Sequence, residues 1–330
     1  MNKRQSLGSA VECVLLGVVS SAIAILLFFI PLLNFVIFLW PIPIIVLSLR
    51  RGIKYGILAV IISSLICGLF IHPMFGLGIL LIFGSTAFTI SWAMKREVSP
   101  LNATVFGAIA MIISIMIAMK LVEFSVGHDL FVYYGQMIKD VLVEQQNDGL
   151  LQNLTAMYRQ MGITTEGVTM KDLYSTIDGM VETIKTAFPS ILTIFSLICS
   201  FINYSVASWL LKRRGQDVRL FPSFGLWKLP RGAGRGFIAI LIIAYIGNAV
   251  GINNFDIVLL TITNIWVFVF GIQGLSVAEF FLKKANINKA LRIVILLLVF
   301  ILASQVAAFI GFIDQLLNVR RLYDDKNITI

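Results

Sequence analysis

Residues 11–51 read VECVLLGVVSSAIAILLFFIPLLNFVIFLWPIPIIVLSLRR, and between Glu12 and Arg50 there is no charged side chain. A helix needs roughly 20 apolar residues, at about 1.5 Å rise each, to cross about 30 Å of hydrocarbon. This one stretch therefore has the length of two membrane spans, with Pro31 and Asn34 marking the turn between them. Trp40, Pro41 and Pro43 interrupt the second. Proline lacks a backbone N–H and its ring clashes with the preceding turn, so the sequence predicts a kinked or broken helix at that point.

The same grammar continues to the end of the chain. Apolar runs at 53–71, 75–94, 103–121, 188–211 and 291–313 each have the length of one span, and 237–282 has that of two. Hydrophobic residues make up 58% of the 330 positions and charged residues 13%. This composition predicts an all-α, polytopic transmembrane helical bundle of about eight or nine spans. The basic start and first apolar run resemble a signal peptide, but the run is too long for one and has no small-residue cleavage site. It is expected to stay as the first span.

A net charge of +9 could suggest nucleic acid. The basic residues, however, form no stripe with interleaved aromatics; they punctuate the spans, as the positive-inside rule requires. With the N-terminus inside, Lys3, Arg4, Arg50, Arg51, Lys54, Lys95, Arg96, the connection 212–235 and the group 283–292 share one face, which then holds 18 of the 26 basic residues. Of the remaining eight, Arg320 and Arg321 depart from the pattern, since they would sit just outside the last span. The expected setting is an inner, cytoplasmic membrane, crossed many times, with lipid as the constant partner and no nucleic acid.

Residues 125–187 differ in character, with eight acidic and four basic side chains. Apolar residues recur at helical spacing in three sets, around 130–142, 150–161 and 170–184. The chain thus divides into an N-terminal membrane bundle at 1–124, an extracytoplasmic insertion of amphipathic helices at 125–187 with a hinge near 162–167, and a C-terminal membrane bundle at 188–330. A basic cytoplasmic connector occupies 212–236 of the last.

No catalytic pattern is present. Metal sites need clustered His, Cys or carboxylates, whereas the two histidines, His72 and His128, stand at the ends of different spans. The glycines at 232, 234 and 236 lack the Lys-Ser/Thr of a phosphate loop. Cys13, Cys67 and Cys199 lie in apolar runs as small hydrophobes. The expectation is no enzyme activity, no cofactor and no metal. Polar side chains within spans are the informative minority, because each is costly in hydrocarbon. Asn34, Trp40, Pro41, Pro43, Asn203 and Asn248 are candidates for lining a solute site, against the plainer role of tying helices together. Gly17 and Ser21, four residues apart, are candidates for docking another helix. Phe221, Phe224 and Trp227, in the proline-bounded stretch 221–231, are candidates for the membrane interface.

With the basic flank Lys212-Arg213-Arg214 before it and long apolar spans after it, that stretch resembles the YybS family of bacterial multi-spanning membrane proteins, whose function is largely unassigned. The resemblance extends over the spans, the acidic insertion and Pro189. The first 120 or so residues, with Trp40-Pro41-Ile42-Pro43 followed by Arg51-Gly52 and Gly56, look like the S subunits of energy-coupling-factor transporters. That second likeness implies a small-molecule-binding module driven by a partner ATPase. The expected function is therefore a transport-related subunit that binds a small solute in its bundle and draws energy from a membrane-protein partner. The alternative is a non-transporting scaffold or regulator that holds partner proteins, or further copies of itself.

Overall fold

A computed structural model describes residues 3–30, 36–144 and 170–322. The described residues are helical, with short connections apart from the long connector between Arg213 and Ala233. They fall into two compact units, Met1–Ala118 with Ser190–Ile330, and Met119–Pro189.

In the larger unit, helix α1 covers Lys3–Phe29 and α3 covers Ile53–Phe70. Cys13 Sγ meets the Tyr55 carbonyl at 3.1 Å, a Cβ built on Gly17 would lie 3.2 Å from the Ala59 carbonyl, and Cys67 Sγ is 3.9 Å from the Ser21 carbonyl. These contacts advance in the same direction along both helices, so α1 and α3 are parallel. The chain must then return between them. It does so through a 3-10 turn at residues 36–39 and a short helix α2, Pro41–Arg51.

Of the two expected forms, kinked or broken, the structure has the break. Pro41 and Pro43 do not bend a long helix; they open an 11-residue one, about 16 Å long. The first four N–H groups of a helix have no partner within it. Proline at the first and third helical positions deletes two of those donors, so this helix can begin deep in the protein. It is a buried helix, with Ile44, Ile45 and Leu47 no more than 2% exposed. Gly52, with φ of 113°, reverses the chain into α3.

A continuous rod follows, made of α4 (Pro73–Gly78), a π-helical turn (Ile79–Gly84) and α5 (Ser85–Lys95). Helix α6, Pro100–Val126, comes next. Helix α8 runs without a break over 44 residues, Met170–Arg213, with Pro189 inside it. The third amphipathic stretch of the insertion and the span expected to open at 188 are therefore one helix, because a single missing donor at Pro189 does not outweigh the bonds on either side.

The last helices are α9 (Ala233–Ala249), α10 (Phe255–Lys284), α11 (Lys289–Leu302) and α12 (Ser304–Leu317). Helices α10 and α12 approach closely through glycine: a Cβ on Gly274 would overlap the Ala307 carbonyl, and one on Gly311 the Phe270 carbonyl. The final apolar run is not straight. Helices α11 and α12 bend by 106° at Ala303, and this bend brings Arg320 back to the connector, where it bonds the carbonyls of Gly225 and Trp227. The separation of Arg320 from the other basic groups expected from a straight last span is thereby removed.

Among the described residues six helices are long and apolar enough to cross a membrane, or seven if the bent pair counts as one span. The apolar stretches outnumber these helices for local reasons. Helix α2 has 11 residues, α9 has 17, and the last run is broken.

In the smaller unit, α7 (Leu130–Glu144) packs on the first part of α8, with Gly135 against Val181 and Phe131 against Phe188. Asp129 caps α7 by accepting from the N–H groups of Phe131 and Val132. Burial works to raise its carboxyl, but those two donors and Lys185 outweigh it and hold the group below its ordinary value. Lys120 and Glu123 pair as their spacing predicts. The middle amphipathic set, 150–161, and the hinge near 162–167 lie outside the described residues.

Candidate functional site

The candidate site forms around the head of α2, where the chain is not helical. The Trp40 indole Nε1–H donates to the carbonyl of Ser20 on α1 (3.1 Å), and the Asn203 amide Nδ2 donates to the carbonyl of Phe38 (2.9 Å) and to Cys199 (2.8 Å). Three sequence positions far apart, 20, 38–40 and 203, are thus drawn to one place. An interrupted helix leaves carbonyls without intrahelical partners, and Asn203 supplies one.

The satisfaction is incomplete. Asn203 Oδ1 and Ser20 Oγ are buried, each residue 1% exposed, and neither atom has a hydrogen-bond partner among the described residues. An unpaired buried polar atom costs about 1–3 kcal/mol, so two beside one backbone interruption call for an explanation. On the neighbouring α6 and α8 interface, Thr104 Oγ1 and Ser196 Oγ are unpaired as well, while Ser200 Oγ donates to the Thr104 carbonyl at 2.7 Å. An amide oxygen accepts and a hydroxyl does both, so these atoms suit a neutral polar molecule or ordered water.

A second feature lies along α2. A groove of about 370 Å³ runs between α2, α3, the π-helical turn with α5, and α6. Its walls are apolar apart from the hydroxyls of Ser48, Ser85 and Ser114, and no ionisable side chain lines it. The Ser85 and Ser114 hydroxyls bond each other at 2.7 Å and tie α5 to α6. Gly56 gives room for the Ser48 hydroxyl, which a Cβ there would overlap. The π-helical turn joins the two features, since Phe83 packs against Trp40, 6.2 Å between ring centres, while Leu80, Leu81 and Gly84 face the groove.

Of the residues singled out from sequence, Trp40, Pro41 and Asn203 come together here, with Pro43 two residues along α2. Asn34 lies outside the described residues. Asn248 is exposed at the end of α9, which packs on α10 and α12. Gly17 faces Ala59 and Ile62 of α3, and Ser21 is buried and donates to the Val18 carbonyl. The helix that approaches this small-residue face is the chain's own α3. Phe221, Phe224 and Trp227 form a cluster of rings with Phe201, and Trp227 Nε1–H donates to the Pro222 carbonyl at 3.0 Å. These three aromatics are half-buried against the protein.

Sequence reasoning missed the serines at 48, 85 and 114, and read Ser20 only as a small residue at helix-docking spacing, because one more serine in a span rich in small residues carries no polar signal. It also missed a closed network at the connector. The Arg320 side chain, fully buried, donates from Nη1 to Gly225 O and Ser276 Oγ (both 2.7 Å), from Nη2 to Trp227 O and Asp314 Oδ2 (both 2.8 Å), and from Nε to Asp314 Oδ2 (3.2 Å). Gln273 donates to Asp314 and Gln315, and Gln315 to the Pro230 carbonyl. Among the described residues no group of three His, Cys, Asp or Glu is placed to hold a metal ion.

The sequence pattern of a family described as "Predicted membrane protein (DUF2232)" matches residues 18–315. The chain is 24% identical over 311 residues to the uncharacterized protein YybS of Bacillus subtilis strain 168, covering 90% of this chain and 93% of that protein. No solved structure matches.

Proposed function

The chain belongs to the DUF2232 family of predicted membrane proteins, and on that premise we propose that it is a transport-related membrane subunit that binds a small, uncharged solute at the head of α2. The observation that carries this reading is the pair of unpaired buried atoms, Asn203 Oδ1 and Ser20 Oγ, beside an interrupted helix. Broken helices recur where transporters hold solutes, because freed backbone groups and nearby side chains can then face the ligand. The absence of charge at this point favours a neutral solute with at least one hydrogen-bond donor for Asn203 Oδ1.

Energy comes from partner proteins in this proposal, since the chain has no phosphate-binding loop. The face around Gly17 and Ser21 is filled by α3, so a membrane-protein partner docks elsewhere. In this proposal the protein sits in a bacterial inner membrane with its basic face, Arg320 included, toward the cytoplasm, as the positive-inside rule favours. Single cysteines at Asn147 and Gly167, in a background lacking the three native ones, then label in intact cells with an impermeant thiol reagent. Labelling only after lysis reverses the orientation.

The solute test is mass spectrometry of small molecules extracted from the intact protein purified in mild detergent. Wild type carries a stoichiometric solute, and Asn203→Leu loses it while unfolding at nearly the same temperature. Wild type that carries none overturns the reading. The second reading, a scaffold that holds partner proteins, is favoured by the Arg320 network, which clamps the connector into a fixed basic surface with Arg213, Arg214 and Arg235 exposed. Partner proteins recovered through that surface, with no solute present, select the scaffold.

A further inference from the structure

The apolar groove is a separate site with a different occupant. We propose that it holds one acyl chain of an anionic phospholipid, entering sideways from the bilayer, with the lipid phosphate at Lys54. Three observations define this occupant. First, the opening is built from Ile57, Leu80 and Phe88, which are 44%, 36% and 45% exposed within helices that qualify as membrane spans. A molecule reaching the groove through them comes from hydrocarbon and not from water.

Second, the groove is long enough for about two thirds of a lipid tail. Its residues on α3 run from Ile53 to Val60, a rise of about 10 Å, or about one third of a 30 Å hydrocarbon layer. It starts at the end of α3 where the basic residues stand. Its volume of about 370 Å³ is within the range of about 300–1,000 Å³ found for sites that hold small molecules. No ionisable group lines it, and the Ser85 and Ser114 hydroxyls satisfy each other. The walls therefore ask little of a ligand beyond hydrocarbon.

Third, the charge at the groove's outer end is complementary to a phosphate. Arg50 and Arg51 are both paired with Glu12, at 2.9 and 2.7 Å. Lys54 follows the lining residue Ile53, is exposed, and makes no ion pair among the described residues. A lysine at the membrane surface with an apolar slot one turn deeper matches the two parts of an anionic lipid, head and tail.

The intact protein, exchanged into detergent micelles containing equimolar phosphatidylglycerol and phosphatidylcholine, is analysed by native mass spectrometry. Wild type retains one phospholipid per chain, with phosphatidylglycerol preferred. Ile57→Trp and Leu80→Trp each plug the opening from its lipid-facing side, where a larger side chain does not disturb packing, and lower the retained lipid at least tenfold. Leu69→Trp, equally lipid-facing but away from the groove, leaves it unchanged. Lys54→Gln still retains one lipid, but its preference for phosphatidylglycerol falls about fivefold, the factor that corresponds to about 1 kcal/mol per lysine at a membrane surface.

Wild type without stoichiometric lipid overturns the proposal. So does equal retention by both plugged variants, or an unchanged headgroup preference in Lys54→Gln. The solute reading is independent: Asn203→Leu keeps the phospholipid, and the plugged variants keep the solute.

Discussion

Two interruptions of regular helix in the larger unit are handled in opposite ways. At the head of α2, Asn203 Oδ1 and Ser20 Oγ are buried without partners among the described residues. At the connector, all five N–H groups of a fully buried guanidinium are matched to Asp314, Ser276 and two backbone carbonyls. A closed network holds a shape, whereas open polar atoms in an otherwise dry interior have capacity left for something else. The contrast gives structural work to the connector end and leaves open polar atoms at the α2 end, the feature on which the proposed solute site rests.

The sharpest way to break this comparison is Arg320→Ala. It leaves Asp314 as an uncompensated buried charge and frees two connector carbonyls, and is expected to cost about 3–5 kcal/mol. Thermal exposure of the three buried cysteines to a thiol-reactive dye reports it directly. An unfolding temperature equal to wild type means the network is not what fixes the connector.

Glycines give the next contrast. A Cβ on Gly274 meets the Ala307 backbone, which cannot move aside, so Gly274→Ala is expected to destabilise by about 1–3 kcal/mol. On Gly17 the nearest atoms, the Ala59 carbonyl and the Ile62 side chain, are both at 3.2 Å, a tight contact rather than an overlap. Alanine's better helix propensity, up to about 1 kcal/mol, then leaves Gly17→Ala near neutral. Equal losses in the two variants, measured by the same dye, erase the distinction between the rigid pair α10 and α12 and the looser pair α1 and α3.

Asn203→Leu removes the bond to Phe38 but also an unpaired acceptor, so the net cost is expected to be only about 1 kcal/mol. A loss comparable with Arg320→Ala moves Asn203 from the open class to the structural one.

The smallest effect is in the separate unit. Asp129→Ala removes the cap of α7 and, at so exposed a group, is expected to cost about 0.5–1 kcal/mol. Because the Asp129 carboxyl titrates below its ordinary value, its contribution is full above the unfolded value of about 3.9 and is lost as the pH falls through the lower folded value. Hydrogen exchange of α7 amides at neutral and acid pH checks this. Protection lost on raising the pH contradicts it.

The helices and their rough places were legible because the period and length of apolar runs depend on neighbours in the chain. Asn203 was legible for a related reason: an amide in the middle of a span is conspicuous. Its partner Phe38 was not, since nothing about residue 38 records a neighbour 165 positions away. The prolines at 41 and 43 signalled an interruption correctly, but whether proline bends a helix or begins one depends on what receives the preceding turn.

Sequence by itself determined that this is an all-helical, many-span membrane protein with a polar insertion, because transfer of apolar length into hydrocarbon is a local quantity. Only the tertiary structure decided that the second stretch is a half-helix, that Arg320 returns to the connector, and which polar atoms stay open. Each of these depends on whether a buried N–H, carbonyl or guanidinium finds a partner on another helix, and that is settled by packing.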